Sequence, residues 1–166
     1  MDIQKELIAE YDREVASTRK VLEAIPADAD LNWKANPKNM TLGRLAGHTA
    51  ETAGEWAIET LSKDGLIYDM SNYKPWQPAT KAEILEKFDT DTAKAKSILA
   101  ELPTAKWDEN WKMTAGDQVW IDGPRYFVFR NWVLNHLIHH RAQVGRDLRT
   151  LGVVIPGCYG PSADES

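Results

Sequence analysis

The sequence predicts an all-α protein that folds as a four-helix bundle, in one domain covering residues 1–166. Three observations support this prediction. Four long stretches place apolar residues at helical spacing, and each is bounded by residues that start or stop helices. At 166 residues, the chain is long enough for one domain with a substantial core but too short for two ordinary ones. Amphipathic helices of this number and length pack most economically as a bundle.

The first predicted helix runs from about Asp2 to Ile25. Pro26 ends it, because proline lacks the N–H that the helix needs. The second predicted helix begins near Thr41 and ends before Gly65. Its apolar face is formed by Leu42, Leu45, Ala46, Thr49, Ala53 and Trp56.

The third predicted helix opens with a capping box. Thr80 is the N-cap and Glu83 follows three residues later, so each side chain can bond a free backbone N–H of the first turn. The helix stops at Leu102, because the residue before a proline, here Pro103, disfavours helical geometry.

The fourth predicted helix starts near Pro124, since proline suits a first helical turn. It continues through Leu151 to Gly152, which stands where a C-terminal capping glycine belongs.

The segment before the fourth helix, residues 103–123, is long for a connection within a plain bundle and therefore suggests a functional loop. A short hairpin and an irregular loop both fit its alternating pattern. The chain holds seven tryptophans, and four of them fall in predicted connections: Trp76, Trp107, Trp111 and Trp120. These indoles either line a pocket or interface, or cap the end of the bundle.

Charge and composition exclude several classes of protein. The net charge of -5 argues against nucleic-acid binding, which usually needs a basic face. No apolar run approaches the roughly 20 residues of a membrane span. Cys158 is the single cysteine, so an internal disulfide is excluded, and the charged first residues lack an apolar signal core. We therefore expect a cytoplasmic protein that acts on a small molecule.

Three of the four histidines lie in the stretch NHLIHHRAQ, residues 135–143, and the fourth, His48, lies on the second helix. Successive residues of a helix turn by about 100°, so His140 lies about 40° from His136, inside the apolar stripe. His139 lies about 60° to the other side, at the edge of the stripe. His48 lies on the margin of its own helix's apolar face, from which a facing helix brings it opposite His136 and His140.

This placement supports two interpretations. Inward imidazoles need partners for their nitrogens, and a divalent metal on His48, His136 and His140 meets that need. The histidines are otherwise ordinary core or surface residues, because two histidines four apart on a helix also occur by chance. By its phase, His139 is not expected to be a ligand.

The order of these features resembles the DinB-like superfamily of small bacterial metal-binding four-helix bundles. The resemblance rests on one histidine early in the second helix, H-x-x-x-H within the last helix, then LRTLG, a proline and YGPSADE. It implies a metal, often zinc or nickel, held by His48, His136 and His140. It also implies an up-down-down-up helix order and a homodimer formed through helix faces.

Some characterised relatives of that superfamily join small thiols to electrophiles or use a thiol as a cofactor, which implies a thiol-dependent reaction here. Three neutral ligands leave a metal charged and open at one position, the arrangement typical of catalytic sites. An open position also suits hydrolysis, and the chain alternatively binds a metal or small ligand without turnover or contributes to a stress response. In a third alternative, the chain is a purely structural dimer with incidental histidines.

Nearby side chains provide candidates for the chemistry. Glu51, Glu55 and Glu59 follow His48 and are candidates for a general base or for a partner that bonds a metal-holding histidine. Glu55, two turns along on a similar face, is the catalytic residue predicted. Each of these glutamates is otherwise a plain solvated residue. Arg141 and Gln143 either orient a substrate or hold a helix contact.

Overall fold

The computed structural model describes residues 2–165, whose helices form four rods. The first rod is α1, Ile3–Glu23. The second consists of α2, Leu42–Ala53, and α3, Glu55–Ser62. The third is α4, Lys81–Glu101, followed by a 3-10 turn at Thr104–Trp107. The fourth consists of α5, Arg125–Val128, a π-helical segment, Phe129–Asn135, and α6, His136–Thr150.

The helix starts follow the predicted caps. The Asp2, Thr41 and Thr80 side chains each accept a backbone N–H of the first turn of their helix. The Glu83 carboxylate completes the capping box by accepting the backbone N–H of Ala79 at 2.9 Å, one residue before the expected partner. The capping residues therefore fix where α1, α2 and α4 begin.

The ends of the third and fourth rods also agree with the sequence. Leu102 is extended, and α4 stops before Pro103. At the end of α6, Gly152 has φ of +77°, and the N–H of Val153 donates to the Leu148 carbonyl at 3.0 Å. This is the bonding pattern of a Schellman motif, in which a left-handed residue is needed and glycine is favoured.

The second rod departs from the single helix that was predicted, because it breaks at Gly54. The break coincides with the closest approach of α4. A Cβ atom on Gly54 would overlap the side chain and backbone of Asp91. Glycine at this position lets the third rod pack directly against the junction between α2 and α3.

The fourth rod was predicted as one regular α-helix, and this prediction was wrong in its first half. Seven residues, Phe129–Asn135, adopt a π-helix immediately before His136. A π-helical stretch has a wider turn than an α-helix and often occurs at functional sites. Trp132, in this segment, lies one turn before His136, and the two ring centroids are 5.4 Å apart.

The prediction of an all-α fold is corrected by a small mixed sheet. Its strands are β1, Leu66–Ile67, β2, Asn110–Ala115, and β3, Gln118–Pro124. Strands β2 and β3 form an antiparallel hairpin, one of the two forms expected for the long loop, while β1 pairs with β2 in parallel and was not predicted. Gly116 opens the hairpin turn at φ of +56°, a conformation that favours glycine.

The rods surround one main core. Helices α1 and α2 each pack against both α4 and α6, and buried side chains from all four rods form a continuous apolar cluster. The sheet adds a smaller cluster of Trp111, Met113 and Val128 beside it. The up-down-down-up order stays a prediction. No helix among residues 2–165 is both long and apolar enough to cross a lipid bilayer.

Candidate metal centre

The structure brings His48, His136 and His140 together. Helix α2 supplies the first imidazole, and the start of α6 supplies the other two from adjacent turns. One ligand nitrogen of each ring lies within 4.8 Å of those of the other two. His48 and His140 are buried, with 8% and 6% of their surface exposed, and His136 is half-buried. The three form a cluster between α2 and α6.

The Nδ1 atom of His48 contacts a side chain of its own helix. It lies 3.3 Å from the Glu51 carboxylate, one turn along α2. The same carboxylate oxygen accepts the Arg44 guanidinium at 2.7 Å, and Arg44 also donates to the Tyr73 hydroxyl at 2.8 Å. The Arg44 guanidinium lies equally near the Nδ1 atom of His48, at 3.3 Å. In the tautomer that carries its proton on Nδ1, His48 donates to Glu51 and its Nε2 atom is left for a ligand.

The Nδ1 atom of His140 is likewise held, by the side-chain oxygen of Gln143 at 2.8 Å. The amide nitrogen of Gln143 donates to Nε2 of His139 at 3.1 Å. His139, which the helical phase placed at the edge of the apolar stripe, is exposed and is not a member of the cluster. Gln143 therefore holds the His140 ring in one orientation and supports the histidine cluster in this way.

His136 and His140 are neutral at ordinary pH. Burial, together with the charge of neighbouring imidazoles, lowers the pKa of His136 to about 4. Burial also lowers the pKa of His140 to about 3, although its bond to Gln143 acts in the opposite direction. Burial acts to raise the pKa of Glu51, but hydrogen bonds from His48 and Arg44 outweigh it and leave that pKa lowered. Glu51 is therefore a carboxylate at ordinary pH.

These residues fit a divalent transition metal. Neutral imidazole is a good ligand for zinc, nickel, copper and iron, and the cluster offers three imidazoles. The lowered pKa values of His136 and His140 reduce the competition from protons at those two rings. Histidines that hold a metal through one ring nitrogen usually bond a carboxylate or an amide oxygen through the other, as His48 and His140 can with Glu51 and Gln143. Among residues 2–165, no cysteine or carboxylate joins the three rings, so the group is smaller than the four ligands of a closed structural zinc site.

A pocket of about 150 Å³ opens beside the cluster, and His48 forms part of its wall. Three tryptophans, two tyrosines and two methionines supply most of the remaining lining. The rings of Trp56 and Trp132 stack on each other 4.7 Å apart and meet the ring of His136 edge-on at 5.0 and 5.4 Å. An apolar pocket that ends on titratable side chains is a typical small-molecule site.

The predicted acidic residues fall in different places. Glu51 contacts His48, and Glu59 lines the pocket, where it pairs with Lys63 at 2.8 Å. Glu55 is exposed and pairs with Lys87 of α4 at 3.0 Å. Its role as general base stays a prediction.

Other residues noted in the sequence serve the fold. Arg141 is buried and pairs with Glu14 of α1 at 2.8 Å, so the prediction of a helix contact is confirmed. Cys158 lines a different cavity, which Arg141 also lines. Of the tryptophans in the long loop, Trp107 and Trp111 are buried, and Trp120 alone lines the pocket.

Several site residues were not identified from the sequence. Arg44 precedes His48 by one turn, so its spacing was available as a signal. Tyr68 and Tyr73 lie in the connection between α3 and α4, where no local pattern indicates a pocket. Trp132 likewise precedes His136 by one turn, so its spacing was also available as a signal.

Comparisons with known proteins agree with this architecture. The model of the DinB family matches residues 1–166. An uncharacterized protein of Bacillus subtilis (strain 168), YrdA, is 24% identical over 155 residues, which cover 93% of this chain and 87% of that protein. The crystal structure of a DinB-like protein from Bacillus cereus ATCC 10987 superposes with a TM-score of 0.72 at 21% identity, covering 93% of this chain and 97% of that one. Because the family model matches over the whole length, the chain belongs to the DinB family.

Proposed function

We propose that this DinB-family protein is a metal-dependent enzyme that transfers a small thiol to an electrophilic substrate. The observation that carries the proposal is the joint placement of three imidazoles at the end of an aromatic pocket, with no fourth protein ligand among residues 2–165. His48, His136 and His140 would hold a divalent ion, for which zinc and nickel are the preferred candidates.

A divalent ion on three neutral ligands keeps its full charge and an open position, and so favours the anionic form of a thiol or of water. The chain's own residues supply the rest. Glu51 and Gln143 fix the rings of His48 and His140 by their Nδ1 atoms. The indole walls of Trp56 and Trp132 keep water from the inner side of the cluster.

In the proposed reaction, the sulfur of the thiol forms a bond to the electrophilic carbon, and the leaving group departs with the electron pair of the broken bond. The thiol proton is released. Glu55 is the predicted acceptor, and Glu59, which shares the pocket wall with His48, is a second acidic side chain at the site. Thiol use is supported by the family resemblance and by the suitability of soft sulfur ligands for the metals named.

The test is to incubate metal-loaded protein with a panel of cellular thiols and a chromogenic electrophile. We expect a rate above the uncatalysed reaction with at least one thiol, and loss of that rate in His48→Ala. The matched control is His139→Ala, which removes an exposed imidazole beside the cluster and should retain the rate. Absence of a rate with every thiol would contradict transfer and leave hydrolysis or ligand binding. An unchanged rate in His48→Ala would contradict any role for the metal.

A further inference from the structure

The pocket beside the cluster is walled mainly by aromatic rings. Consecutive centroids lie 4.7 Å apart from Trp56 to Trp132, 6.2 Å from Trp132 to Trp120, and 5.4 Å from Trp120 to Tyr68. Tyr73 continues the series 5.3 Å from Tyr68. Aromatic rings attract other rings in offset or edge-on arrangements at such distances, beyond the burial of apolar area. These five rings form a lining suited to an aromatic guest.

The pocket has the capacity for a single ring. Its volume is about 150 Å³. An apolar cavity of about that size is known to take up benzene. The enclosed volume is therefore sufficient for one aromatic ring.

The lining carries no free charge. Its one carboxylate, Glu59, is paired with Lys63 at 2.8 Å. The Tyr73 hydroxyl is held by Arg44 at 2.8 Å. The thioethers of Met70 and Met113 complete the wall, and sulfur makes favourable contacts with aromatic edges. These features favour a neutral ring over a charged group.

The mouth of the pocket is apolar and open to solvent. Trp120 and Tyr73 are each 39% exposed, and Met70 is 56% exposed. Large apolar side chains grouped at an exposed site usually indicate a surface that a ligand covers. At the inner end, Trp56 meets the ring of His48 edge-on at 5.0 Å, so the pocket leads from solvent to the histidine cluster.

We propose that this pocket binds a single neutral aromatic ring of the electrophilic substrate and so selects benzylic electrophiles. The chemical part of this inference rests on the proposed thiol transfer. With a benzylic halide, the thiol sulfur bonds to the benzylic carbon, the halide leaves with the electron pair of its bond to that carbon, and the thiol proton goes to solvent. The products are a benzyl thioether, a halide ion and a proton.

Binding is tested without turnover, by titrating the protein with two unreactive alcohols and following the indole N–H signals by nuclear magnetic resonance. We expect benzyl alcohol to bind and cyclohexylmethanol, of similar size, to bind about tenfold more weakly, since two aromatic contacts are lost. Equal affinity for the two alcohols, or no binding of benzyl alcohol, would overturn the proposal.

Two variants locate the site. Trp120→Ala should weaken benzyl alcohol binding about tenfold, because it removes one wall of the pocket. Val119→Ala is the control, since Val119 is the exposed neighbour on the same strand and does not line the pocket. Unchanged binding in Trp120→Ala would also overturn the proposal.

Thiol transfer is then measured with benzyl bromide and with an aliphatic bromide. Trp120-dependent binding of benzyl alcohol without any transfer would support the ring pocket and contradict the transferase function. Equal transfer to both bromides, unaffected by Trp120→Ala, would support the transferase function and contradict the ring pocket.

Discussion

Replacement of Glu51 tests whether the side chains that hold the histidine rings govern metal affinity. Its carboxylate is buried, with 8% of the residue exposed, and the same oxygen meets His48 and Arg44. In Glu51→Gln, the side-chain oxygen still accepts the Nδ1–H of His48, but the negative charge is lost. We therefore expect metal to bind more weakly, with the fold retained.

The magnitude follows from the geometry. Loss of a second-shell partner typically weakens metal binding by about 10- to 100-fold, or about 1.4 to 2.7 kcal/mol. The contact of Glu51 with His48 is long, at 3.3 Å, and glutamine preserves an acceptor. Glu51→Gln should therefore fall near the lower limit, about tenfold. Glu51→Ala should approach the upper limit, about 100-fold, because Nδ1–H is then left without a partner.

The assay is competition for zinc against a coloured chelator at pH 7.5, with thermal unfolding of the metal-free variants measured alongside. Glu55→Gln is the matched control, because it removes an acidic charge from the same rod at an exposed position paired with Lys87. It should bind zinc within about twofold of the parent. If Glu51→Gln also binds zinc within twofold of the parent, Glu51 does not strengthen metal binding through its contact with His48, and the reasoning is refuted.

Three further predictions concern the metal-free fold and its assembly. Between about pH 6.5 and pH 4, His136 and His140 bind protons in the unfolded chain but not in the folded protein, so the melting temperature should fall with acidification. The fall should be less steep in the double variant His136→Asn/His140→Asn, which lacks both imidazoles. A melting curve of the double variant as steep as that of the parent would contradict this. Gly54→Ala should lower stability by about 1–3 kcal/mol in denaturant unfolding, since the added methyl group overlaps Asp91, whereas Gly160→Ala, which has open space, should not. The protein should be a homodimer, and light scattering at micromolar concentration that gives the 18.7 kDa of one chain would remove that prediction.

Much of the helical framework was predictable because its signals are local. The caps at Thr41 and Thr80, the stop before Pro103 and the glycine at 152 act within one turn of their own positions. Helical phase also placed His139 at the edge of the apolar stripe and outside the predicted ligand set, and the structure leaves it out of the cluster.

The features that were missed depend on contacts between distant segments. Gly54 interrupts the second rod because Asp91 of another helix approaches it, and the sequence around Gly54 does not contain that information. Strand β1 exists because Leu66 pairs with Met113 across a long separation in sequence. The π-helical segment has no known local signature here and was not predicted.

The candidate site was predicted in its histidines but not in its surroundings. The phase of His136 and His140 and the position of His48 indicated an inward group, and the structure brings the three together. Glu55 was preferred over Glu51 from helical phase counted across Gly54, but the break there leaves Glu51 as the acidic contact of His48. Pocket residues such as Tyr73 come from connections whose paths the sequence does not specify.

Metal content tests the central claim most directly. Protein purified without a histidine tag, reconstituted with zinc or nickel and freed of excess ion, would be analysed by mass spectrometry of its metals, together with His139→Ala and His140→Ala. We predict one divalent ion per chain in the parent and in His139→Ala, and loss of most of it in His140→Ala. A parent that retains no metal, or a site emptied by His139→Ala alone, would contradict the assignment of the cluster as a metal centre.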